Sequence, residues 1–484
     1  MTKSSSHTIW TGAEAAAATG GKLTGDWSVT GVSIDSRTVE KGDLFVALSG
    51  EMQDGHAYVA PALKAGAEAA MVKAPVQNLP VGAAVLEVED TLKALEDLGR
   101  AARARTGAKI IAVTGSVGKT STKELLATAF EALGQTHASA KSYNNHIGVP
   151  LTLARMHAGT DYGIFEIGMN HADEIRPLAK MVRPHIAIIT TVAPVHVENF
   201  ANGEAGIVDA KAEIFEGLEA GGIAVLNRDN QHFERLAEKA RAAGAASVIS
   251  FGRDERADVR LLDLLVASNG SRVKAEVFGE EINYTLQIAG EHIAMNSLAV
   301  LAAVSLAGGS VQKAADALKN LAPLTGRGER HQLATSEADN PVTLIDESYN
   351  ASPTSMKAAF RVLALIDPGR GGRRIAILGD MLEMGKESAN MHADLALPIK
   401  AAGIDLVYTC GAMMKNLHDA LPPANRGGHR ANSEELAKIV PDALAPGDVV
   451  MVKGSLGSKM KTVVEAMRAL PSSAITPKSS DARG

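Results

Sequence analysis

The segment from 109 to 227 alternates short apolar runs with longer amphipathic stretches. Four runs, KIIAVT, GIFEIG, HIAIITTV and GIAVLN, are apolar at nearly every position. The stretches between them place apolar residues at helical spacing, as in the segment from Leu125 to Leu133. Strands that are apolar on both faces and separated by helices form parallel sheets covered on both sides. The pattern therefore predicts a mostly parallel sheet in an α/β protein.

Different patterns flank this segment. Residues 1 to about 105 mix short strand-like runs with helical stretches, which predicts a small α/β unit. Beyond Val248, the runs ADVRLLDLLV, RVKAEVFG and INYTLQIA alternate as in an antiparallel meander, and a further strand and helix series begins near Pro341. We therefore predict three domains and a disordered tail, at 1–105, 106–325, 326–470 and 471–484.

Composition narrows the class of protein. The 484 residues include 49 Lys and Arg against 55 Asp and Glu, a net charge of -6, which argues against binding to nucleic acid or to an anionic membrane. Cys410 is the single cysteine, so an intrachain disulfide is excluded and a cysteine-based metal site is not expected. No stretch reaches the roughly 18 uncharged apolar residues of a membrane-spanning helix. We expect a cytoplasmic protein without membrane insertion.

The stretch IAVTGSVGKTSTKELL, from Ile111 to Leu126, joins a predicted strand to a predicted helix through a glycine-containing turn. The usual nucleotide loop, GxxxxGK[ST], would have its first glycine where this chain has Val113. Backbone N–H groups and the positive end of a helix nevertheless converge in such a turn and attract phosphate. Lys119 can reach the outer phosphates, and the Thr120 hydroxyl can bind magnesium. The predicted phosphate site comprises Thr114, Gly115, Ser116, Val117, Gly118, Lys119 and Thr120.

Polar residues follow the later strands, at the sheet edge where open parallel sheets bind ligands. Glu166 ends GIFEIG and is a candidate magnesium ligand, and His196 follows HIAIITTV, although either residue alone also fits a structural role. The pair Asn144 and Asn145 fits an ordinary turn as well. Spacing alone places Lys211, in DAKAEIF, on a solvated helix face.

Taken in order, these motifs resemble those of the Mur ligases. The resemblance rests on TGSVGKTS, YNNHIGVP, FEIGMN, HVENF, DAKAEIF, LNRDN, GRGER, DESYNASPTS, LGDMLEMG and KGS, and covers the chain to about residue 470. The phosphate loop of that family reads TGxxGKT without an earlier glycine, so Val113 follows the family pattern. The resemblance implies a small N-terminal α/β domain that binds a UDP-linked substrate, a central P-loop ATPase-like domain, and a C-terminal Rossmann-like domain.

The resemblance also implies an activity. Mur ligases are ATP-dependent carbon–nitrogen ligases that transfer the γ-phosphoryl group to a substrate carboxyl, and an amine then attacks the acyl phosphate. The segment DESYNASPTS resembles the branch that joins D-alanyl-D-alanine to UDP-N-acetylmuramoyl-tripeptide, the last cytoplasmic step of the peptidoglycan pentapeptide precursor. We expect a monomer on family grounds. The third residue of the tripeptide, diaminopimelate or lysine, stays open.

Residue roles follow from the same resemblance. The catalytic set would be Lys119, Glu166, His196 and Lys211. Two magnesium ions are implied, one held by Thr120 and Glu166, the other by His196 and by Lys211 as a carbamate derived from carbon dioxide. The remaining ATP contacts would be Asn296, Arg327, Asp346 and Tyr349. The UDP-linked substrate would contact Asp35, Ser36, Arg37, Asn144 and Asn145, and D-alanyl-D-alanine would contact Tyr349, Asn350 and Lys453.

Three other readings are compatible with parts of the sequence. One is another amide ligase of the same superfamily, similar to folylpolyglutamate synthase or to a tripeptide-forming enzyme, although DSR and SYNASP argue against it. A phosphate-loop switch or kinase is the second, and a catalytically silent nucleotide-binding protein is the third. Phosphate release that depends on a peptide amine would separate the ligase from the last two.

Overall fold

The computed structural model describes residues 8–50, 53–73, 79–140, 142–194 and 197–476. The first α/β unit contains seven strands and three helices within these residues. They are β1 (Trp10–Thr11), α1 (Gly12–Thr19), β2 (Lys22–Thr24), β3 (Ser28–Val29), β4 (Gly31–Ser33), β5 (Asp43–Val46), α2 (Val59–Ala65), β6 (Ala69–Lys73), β7 (Val85–Val88) and α3 (Thr91–Arg105). The main sheet has the order β2-β7-β6-β5-β4, and only β2 runs antiparallel to its neighbour.

The central unit is built on one large sheet. Its elements are β8 (Lys109–Thr114), α4 (Lys119–Glu131), β9 (Thr136–Ala138), α5 (Gly148–Ala154), β10 (Tyr162–Glu166), α6 (Ile175–Val182), β11 (Ile186–Ile189), α7 (Glu204–Ala212), β12 (Ile223–Asn227), α8 (Phe233–Ala242), β13 (Ser247–Gly252), β14 (Val259–Ala267), β15 (Gly270–Val277), β16 (Glu280–Leu286), α9 (Glu291–Leu306) and α10 (Val311–Leu318). The strand order is β16-β15-β14-β13-β12-β11-β8-β10-β9. Strands β8 to β13 pair in parallel, and β14 to β16 form the predicted antiparallel meander.

Strand β8 lies inside this sheet and shows why it is apolar throughout. Its residues alternate between two cores, with Ile111 and Val113 on the side of α4 and α9, and Ile110 and Ala112 on the side of α5 and α6. Val113 is fully buried and pairs with Glu166 of β10 and Ile188 of β11. The position where other phosphate loops have their first glycine is therefore a core position of a strand in this chain.

The third unit carries a six-stranded sheet within the described residues. Its elements are β17 (Glu329–Leu333), β18 (Val342–Glu347), α11 (Pro353–Ala364), β19 (Arg374–Gly379), α12 (Ser388–Ala393), α13 (Ala396–Ala401), β20 (Leu406–Cys410), α14 (Met414–Ala420), β21 (Arg426–Arg430), α15 (Ser433–Ala443), β22 (Val449–Lys453) and α16 (Lys461–Arg468). The order is β17-β18-β22-β19-β20-β21, parallel except for β17 at one edge. The α/β fold predicted from the sequence is confirmed.

The first and central units pack together through α3 and α5. A Cβ atom added at Gly99 of α3 would lie 3.2 Å from the Pro150 carbonyl oxygen, so the two helices approach closely there. The indole N–H of Trp10 donates to the Ala154 carbonyl at 2.8 Å, and Arg155 Nε donates to the Val32 carbonyl at 2.6 Å. These buried contacts fix the first unit against the central one.

Part of the segment predicted to be a disordered tail is ordered. Residues Ser472–Ala474 form a 3-10 turn, and Ile475 is fully buried against Leu333 and other residues of the C-terminal core. The Ile475 carbonyl also accepts a hydrogen bond from the Ser336 N–H at 2.9 Å. The burial of Ile475 and this hydrogen bond therefore hold the segment 471–476 on the domain, and 477–484 lie outside the described residues. Across the part of the chain that the structure describes, every helix is too short or too polar to cross a membrane.

Candidate active site

The phosphate loop joins β8 to α4. Its two glycines, Gly115 and Gly118, occupy positions where a side chain would collide with neighbouring residues. Gly118 precedes α4 with φ of 88°, a left-handed conformation that favours glycine, and a Cβ there would press against Asn296 Nδ2. A Cβ at Gly115 would overlap the Thr190 hydroxyl. The backbone of the loop is thus packed against α9 on one side and the end of β11 on the other.

Hydrogen bonds from the residues after β11 hold the loop in this shape. The Ser116 N–H donates to the Thr191 carbonyl at 2.8 Å, and the Ser116 hydroxyl donates to the Ala193 carbonyl at 2.9 Å. The Thr190 hydroxyl donates to the Val117 carbonyl at 2.7 Å. Because these hydrogen bonds fix the loop conformation without a ligand, the loop N–H groups that they do not use are preorganised to bind an anion.

The cation of the loop is Lys119, the first residue of α4. Its ammonium group donates to the Gly115 carbonyl at 2.7 Å, which folds the side chain back over the loop. Burial lowers the pKa of Lys119, the nearby Glu166 carboxylate opposes that shift, and Arg327 adds to it. Two cations and a carboxylate therefore surround the mouth of the loop.

Glu166 ends β10 and is the centre of a cluster of oxygen atoms. Its Oε1 accepts hydrogen bonds from the Thr120 hydroxyl at 3.2 Å and from Asn144 Nδ2 at 2.7 Å. The Thr120 hydroxyl is also 3.2 Å from the Ser142 hydroxyl. The side chain is 1% exposed, and its buried Oε2 receives no hydrogen bond from any described residue. A buried carboxylate oxygen without a partner, beside two hydroxyl groups, fits the hard oxygen ligands that magnesium prefers.

Lys211 lies on α7 and is 2% exposed, so the solvated helix face that spacing alone indicated is wrong. Burial, and then the charge of Lys119, lowers the pKa of Lys211 well below its ordinary value. No described residue forms a hydrogen bond or ion pair with its ammonium group. A lowered pKa favours the neutral amine, the form that reacts with electrophiles. His196, the other residue predicted beside it, lies outside the described residues.

The C-terminal domain completes the site. Arg327 Nη2 donates to the Thr120 hydroxyl at 3.1 Å, and its guanidinium lies 4.2 Å from the centroid of the Tyr349 ring. On the same side, the Lys453 ammonium donates to Glu347 Oε2 and to the Asn350 carbonyl, both at 3.0 Å. These side chains and the phosphate loop line one cavity of about 450 Å³ between the two domains. The predicted residues Tyr349, Asn350 and Lys453 thus share a cavity with Lys119, Thr120 and Glu166.

Several predicted residues lie elsewhere. Asp35 and Arg37 pair with each other at 2.7 Å in the N-terminal domain, and neither they nor Ser36 line this cavity. Asn145 uses its side-chain oxygen to accept the Gly148 N–H at 2.9 Å at the start of α5, a structural role. Asn144 lines the cavity but binds Glu166, which places it with the predicted metal ligands. Roles for these residues toward a UDP-linked substrate stay predictions.

Four predicted ATP contacts also stand apart from the cavity lining, namely Thr114, Gly115, Asn296 and Asp346. Asn296 lies behind the loop, against Gly118. Asp346 is 2% exposed on β18, accepts the Ser348 N–H at 3.0 Å, and has a carboxylate oxygen within 4.8 Å of ligand atoms of Glu329 and His331. Their contacts with a nucleotide stay predictions.

The cavity contains titratable residues that sequence reasoning missed. They are Glu347, His292, Arg330 and Glu383. Burial lowers the pKa of His292, an effect that Glu347 opposes and Lys453 reinforces. Burial also lowers the pKa of Arg330. Only Glu347 carried a signal, because it lies inside DESYNASPTS, between residues that the sequence did single out.

Known protein families match the chain along most of its length. The matches are to the Mur ligase family catalytic domain at residues 28–103, the Mur ligase middle domain at 113–304, and the Mur ligase glutamate ligase domain at 326–456. The middle-domain match begins at Val113 itself. The three matches follow one another in the order of the three α/β units.

Individual relatives agree with these matches. The UDP-N-acetylmuramoyl-tripeptide–D-alanyl-D-alanine ligase of Escherichia coli K12 is 34% identical over 453 residues, covering 93% of this chain and 96% of the relative. The protein of the same name from Rickettsia prowazekii is 33% identical over 459 residues, covering 94% and 99%. A crystal structure of MurF from Acinetobacter baumannii superposes with a TM-score of 0.81 at 28% identity, covering 95% of this chain and 99% of that one.

Proposed function

This chain belongs to the Mur ligase family, and we propose that it is the ATP-dependent ligase that joins D-alanyl-D-alanine to UDP-N-acetylmuramoyl-tripeptide. The observation that carries the proposal is the cavity between the two domains, where a phosphate loop with Lys119 and a buried carboxylate, Glu166, faces Tyr349 and Lys453 of the SYNASP segment and its neighbouring strand. An amide ligase needs both halves, one to activate a carboxylate and one to deliver an amine.

The loop residues would hold the phosphates of ATP. Val117 and Gly118 supply backbone N–H donors at the start of α4, and Lys119 supplies a positive charge that its 2.7 Å contact with Gly115 keeps close to them. Arg327 lies beside the Thr120 hydroxyl and can stabilise charge on a transferred phosphoryl group. Because phosphoryl transfer depends mainly on positioning and charge stabilisation, these groups would help to activate the tripeptide carboxylate.

The residues also fit magnesium. Thr120 and Glu166 would bind one ion, since Glu166 Oε2 is buried without a partner. We propose a second ion bound by His196 and by Lys211 as a carbamate. When bound, magnesium neutralises the negative charge that builds up between nucleotide and substrate carboxylate. A free ammonium would repel a cation, whereas burial lowers the pKa of Lys211 and so favours the neutral amine, which can add carbon dioxide and become a carboxylate-like ligand.

The remaining assignments follow from the same proposal. We propose a monomer on the basis of the family, and a cytoplasmic location because ATP and a nucleotide-linked sugar are the proposed substrates. We propose 1–105 as the domain that binds the UDP-linked substrate, with Asp35, Ser36 and Arg37 at that end, and 106–325 and 326–470 as the two halves of the catalytic site. Loading three separate domains requires them to close, and small-angle scattering should show a compaction with nucleotide and UDP-linked substrate.

Phosphate release tests the proposed reaction. With ATP, magnesium, UDP-N-acetylmuramoyl-tripeptide and D-alanyl-D-alanine, phosphate and the pentapeptide product should appear together, and omitting either substrate should stop both. Hydrolysis that is indifferent to the dipeptide would contradict the ligase and favour a phosphate-loop ATPase or switch. Replacing diaminopimelate with lysine in the tripeptide would show which third residue is accepted.

The carbamate has a test of its own. Lys211→Ala should lose activity, bicarbonate should restore little of it, and a short-chain carboxylic acid should restore more, because the acid can occupy the space of the missing carbamate. Lys180→Ala, on the exposed surface of α6, is the matched control and should behave as wild type in all conditions. Full activity of Lys211→Ala without any additive would refute the carbamate.

A further inference from the structure

Glu347 is one of two cavity carboxylates, with Glu383, that neither the nucleotide nor the metal assignment uses. Glu347, the last residue of β18, lines the cavity with its side chain 26% exposed. Its Oε2 accepts a hydrogen bond from Lys453 at 3.0 Å, and no described residue hydrogen-bonds to its Oε1. A Cβ added at Gly328 would lie 3.4 Å from that Oε1, so the absence of a side chain there keeps this oxygen accessible. One oxygen of Glu347 is thus fixed and the other faces open space.

The proposed reaction creates a need that such a carboxylate meets. The amino group of a peptide has a pKa of about 7.7–8.0, so near neutral pH most of it is an ammonium ion, which has no lone pair to attack an acyl phosphate. The site must therefore bind a cation and remove a proton from it. Glu166 cannot serve, because Thr120 and Asn144 already occupy its Oε1 and its Oε2 is buried beside them.

We propose that Glu347 binds the ammonium group of the incoming dipeptide and accepts its proton, and that Lys453 positions Glu347 for this task. This inference rests on the proposed ligase function and deepens it. Lys453 is 3% exposed and also donates to the Asn350 carbonyl at 3.0 Å, so it ties the end of β18 to the segment that follows. Held from Oε2, the carboxylate of Glu347 can turn only Oε1 toward a ligand.

Contacts of neighbouring residues connect Glu347 to the phosphate loop. Glu347 is two residues from Tyr349, whose ring packs on Arg327, and Arg327 donates to Thr120 of α4 at 3.1 Å. Gly328, against which Glu347 Oε1 lies, is the residue that follows Arg327. An amine bound at Oε1 would therefore lie on the Arg327 side of the cavity, toward the phosphate loop.

The proton and the bonds balance as follows. The ammonium nitrogen gives one proton to Glu347 and attacks the acyl carbon, so a C–N bond forms and the C–O bond to phosphate breaks, with that electron pair leaving on phosphate. The nitrogen loses its second proton as the amide forms, and the departing phosphate takes up this proton and leaves as hydrogen phosphate. Glu347 then returns its proton to solvent. The sum is carboxylate, ammonium and ATP converted to amide, ADP, phosphate and one proton.

Glu347→Gln tests the proposal, because it keeps the shape and removes the base. Its kcat/KM for D-alanyl-D-alanine should fall about 10²–10⁴-fold at neutral pH, the range expected for losing a general base. The loss should shrink as pH rises toward 9, where the dipeptide amine is neutral without help. Hydroxylamine, a neutral nucleophile at pH 7, should trap the acyl phosphate as a hydroxamate at the wild-type rate, since activation of the carboxyl does not involve Glu347.

Controls separate this inference from the ligase itself. Glu465→Gln, whose side chain lies on the exposed face of α16, should match wild type in dipeptide transfer and in hydroxamate formation. Lys453→Met should lower dipeptide transfer while sparing hydroxamate formation, and Lys453→Arg should recover part of the transfer. If Glu347→Gln does not fold, as judged by its thermal transition, Glu347→Asp keeps the carboxylate and should retain hydroxamate formation with dipeptide transfer reduced at least tenfold.

The possible results differ for the two proposals. Wild-type enzyme that forms no dipeptide-dependent product would refute the ligase function. Wild-type ligation with equal kcat/KM in Glu347→Gln, or a loss that is the same at every pH and in the hydroxamate assay, would refute the role of Glu347 alone.

Discussion

Val113 offers a direct test of how the phosphate loop is built. The substitution Val113→Gly gives the chain the spacing of the usual GxxxxGK[ST] loop. If that first glycine belonged to the binding loop, the variant should bind ATP more tightly. The structure instead predicts a loss of stability with little change in ATP binding. Val113 is fully buried in β8 between β10 and β11 and packs on the side of α4 and α9.

The expected loss follows from burial. Fully burying a valine side chain is worth about 1.5–3 kcal/mol, and glycine in a strand costs about 0.5–1 kcal/mol more than alanine. Val113→Gly should therefore lower the free energy of unfolding by about 2–4 kcal/mol. For a domain of this size the change corresponds to a fall in Tm of about 4–16 °C. Val113→Ala should show roughly two-thirds of the loss, since it leaves a cavity without the added backbone freedom.

Calorimetry and nucleotide binding together decide the matter. Both variants and wild type would be heated without nucleotide, and the Kd for ATP would be measured by titration at a temperature where all three are folded. We expect the Tm to be lowest in Val113→Gly and intermediate in Val113→Ala. The Kd for ATP should stay within about twofold of wild type in both variants, a difference in binding free energy of less than about 0.5 kcal/mol. An unchanged Tm with clearly tighter ATP binding in Val113→Gly would show that this residue belongs to the loop and not to the core.

Three further predictions follow from buried groups. Glu166→Gln should raise the magnesium concentration needed for half-maximal activity by about 10–100-fold or more, and an unchanged requirement would remove Glu166 from the metal site. Burial raises the pKa of the Cys410 thiol to about 12, so the folded protein should resist alkylation at pH 8 and react once per chain in denaturant. Burial, only partly offset by the hydrogen bond to the Thr152 carbonyl, lowers the pKa of His137 to about 4. The unfolded chain binds that proton first, so stability should be complete above about pH 6.5 and fall between about 6.5 and 4, and His137→Gln should flatten this slope in unfolding titrations.

The fold was readable from the sequence where a residue pattern had one physical solution. The uninterrupted apolar centres IIAV and VVMV of KIIAVT and DVVMVKGS are typical of strands covered on both faces, and both lie in internal strands, β8 and β22. The alternating runs after Val248 likewise had to expose one face, and they form the antiparallel strands β14 to β16. Local periodicity settles such elements because each depends mainly on its own burial.

The sequence pattern could not predict the environment of side chains whose contacts come from distant parts of the chain. Lys211 has the spacing of a solvated residue on α7, yet the packing of that helix against the central domain leaves it 2% exposed. Ile475 is one apolar residue in a polar tail, and only the nearby core around Leu333 gives it a place to bind. Glu347 resembles any strand-end carboxylate until Lys453, more than a hundred residues away, is seen to hold it.

Residues from two domains form the site, and we expect each domain to serve a different step of the reaction. A single substitution should therefore affect different steps according to the domain in which it lies. Lys119, Thr120 and Glu166 come from the central domain and surround the phosphate loop, whereas Glu347, Asn350 and Lys453 come from the C-terminal domain and are tied to one another. Changes in the first group should impair activation of the carboxyl and therefore both steps of the reaction. Changes in the second should impair amine transfer alone. Arg327 belongs to the C-terminal domain but contacts Thr120 and Tyr349, so it is the side chain whose loss should affect both steps and loosen the contact between the domains.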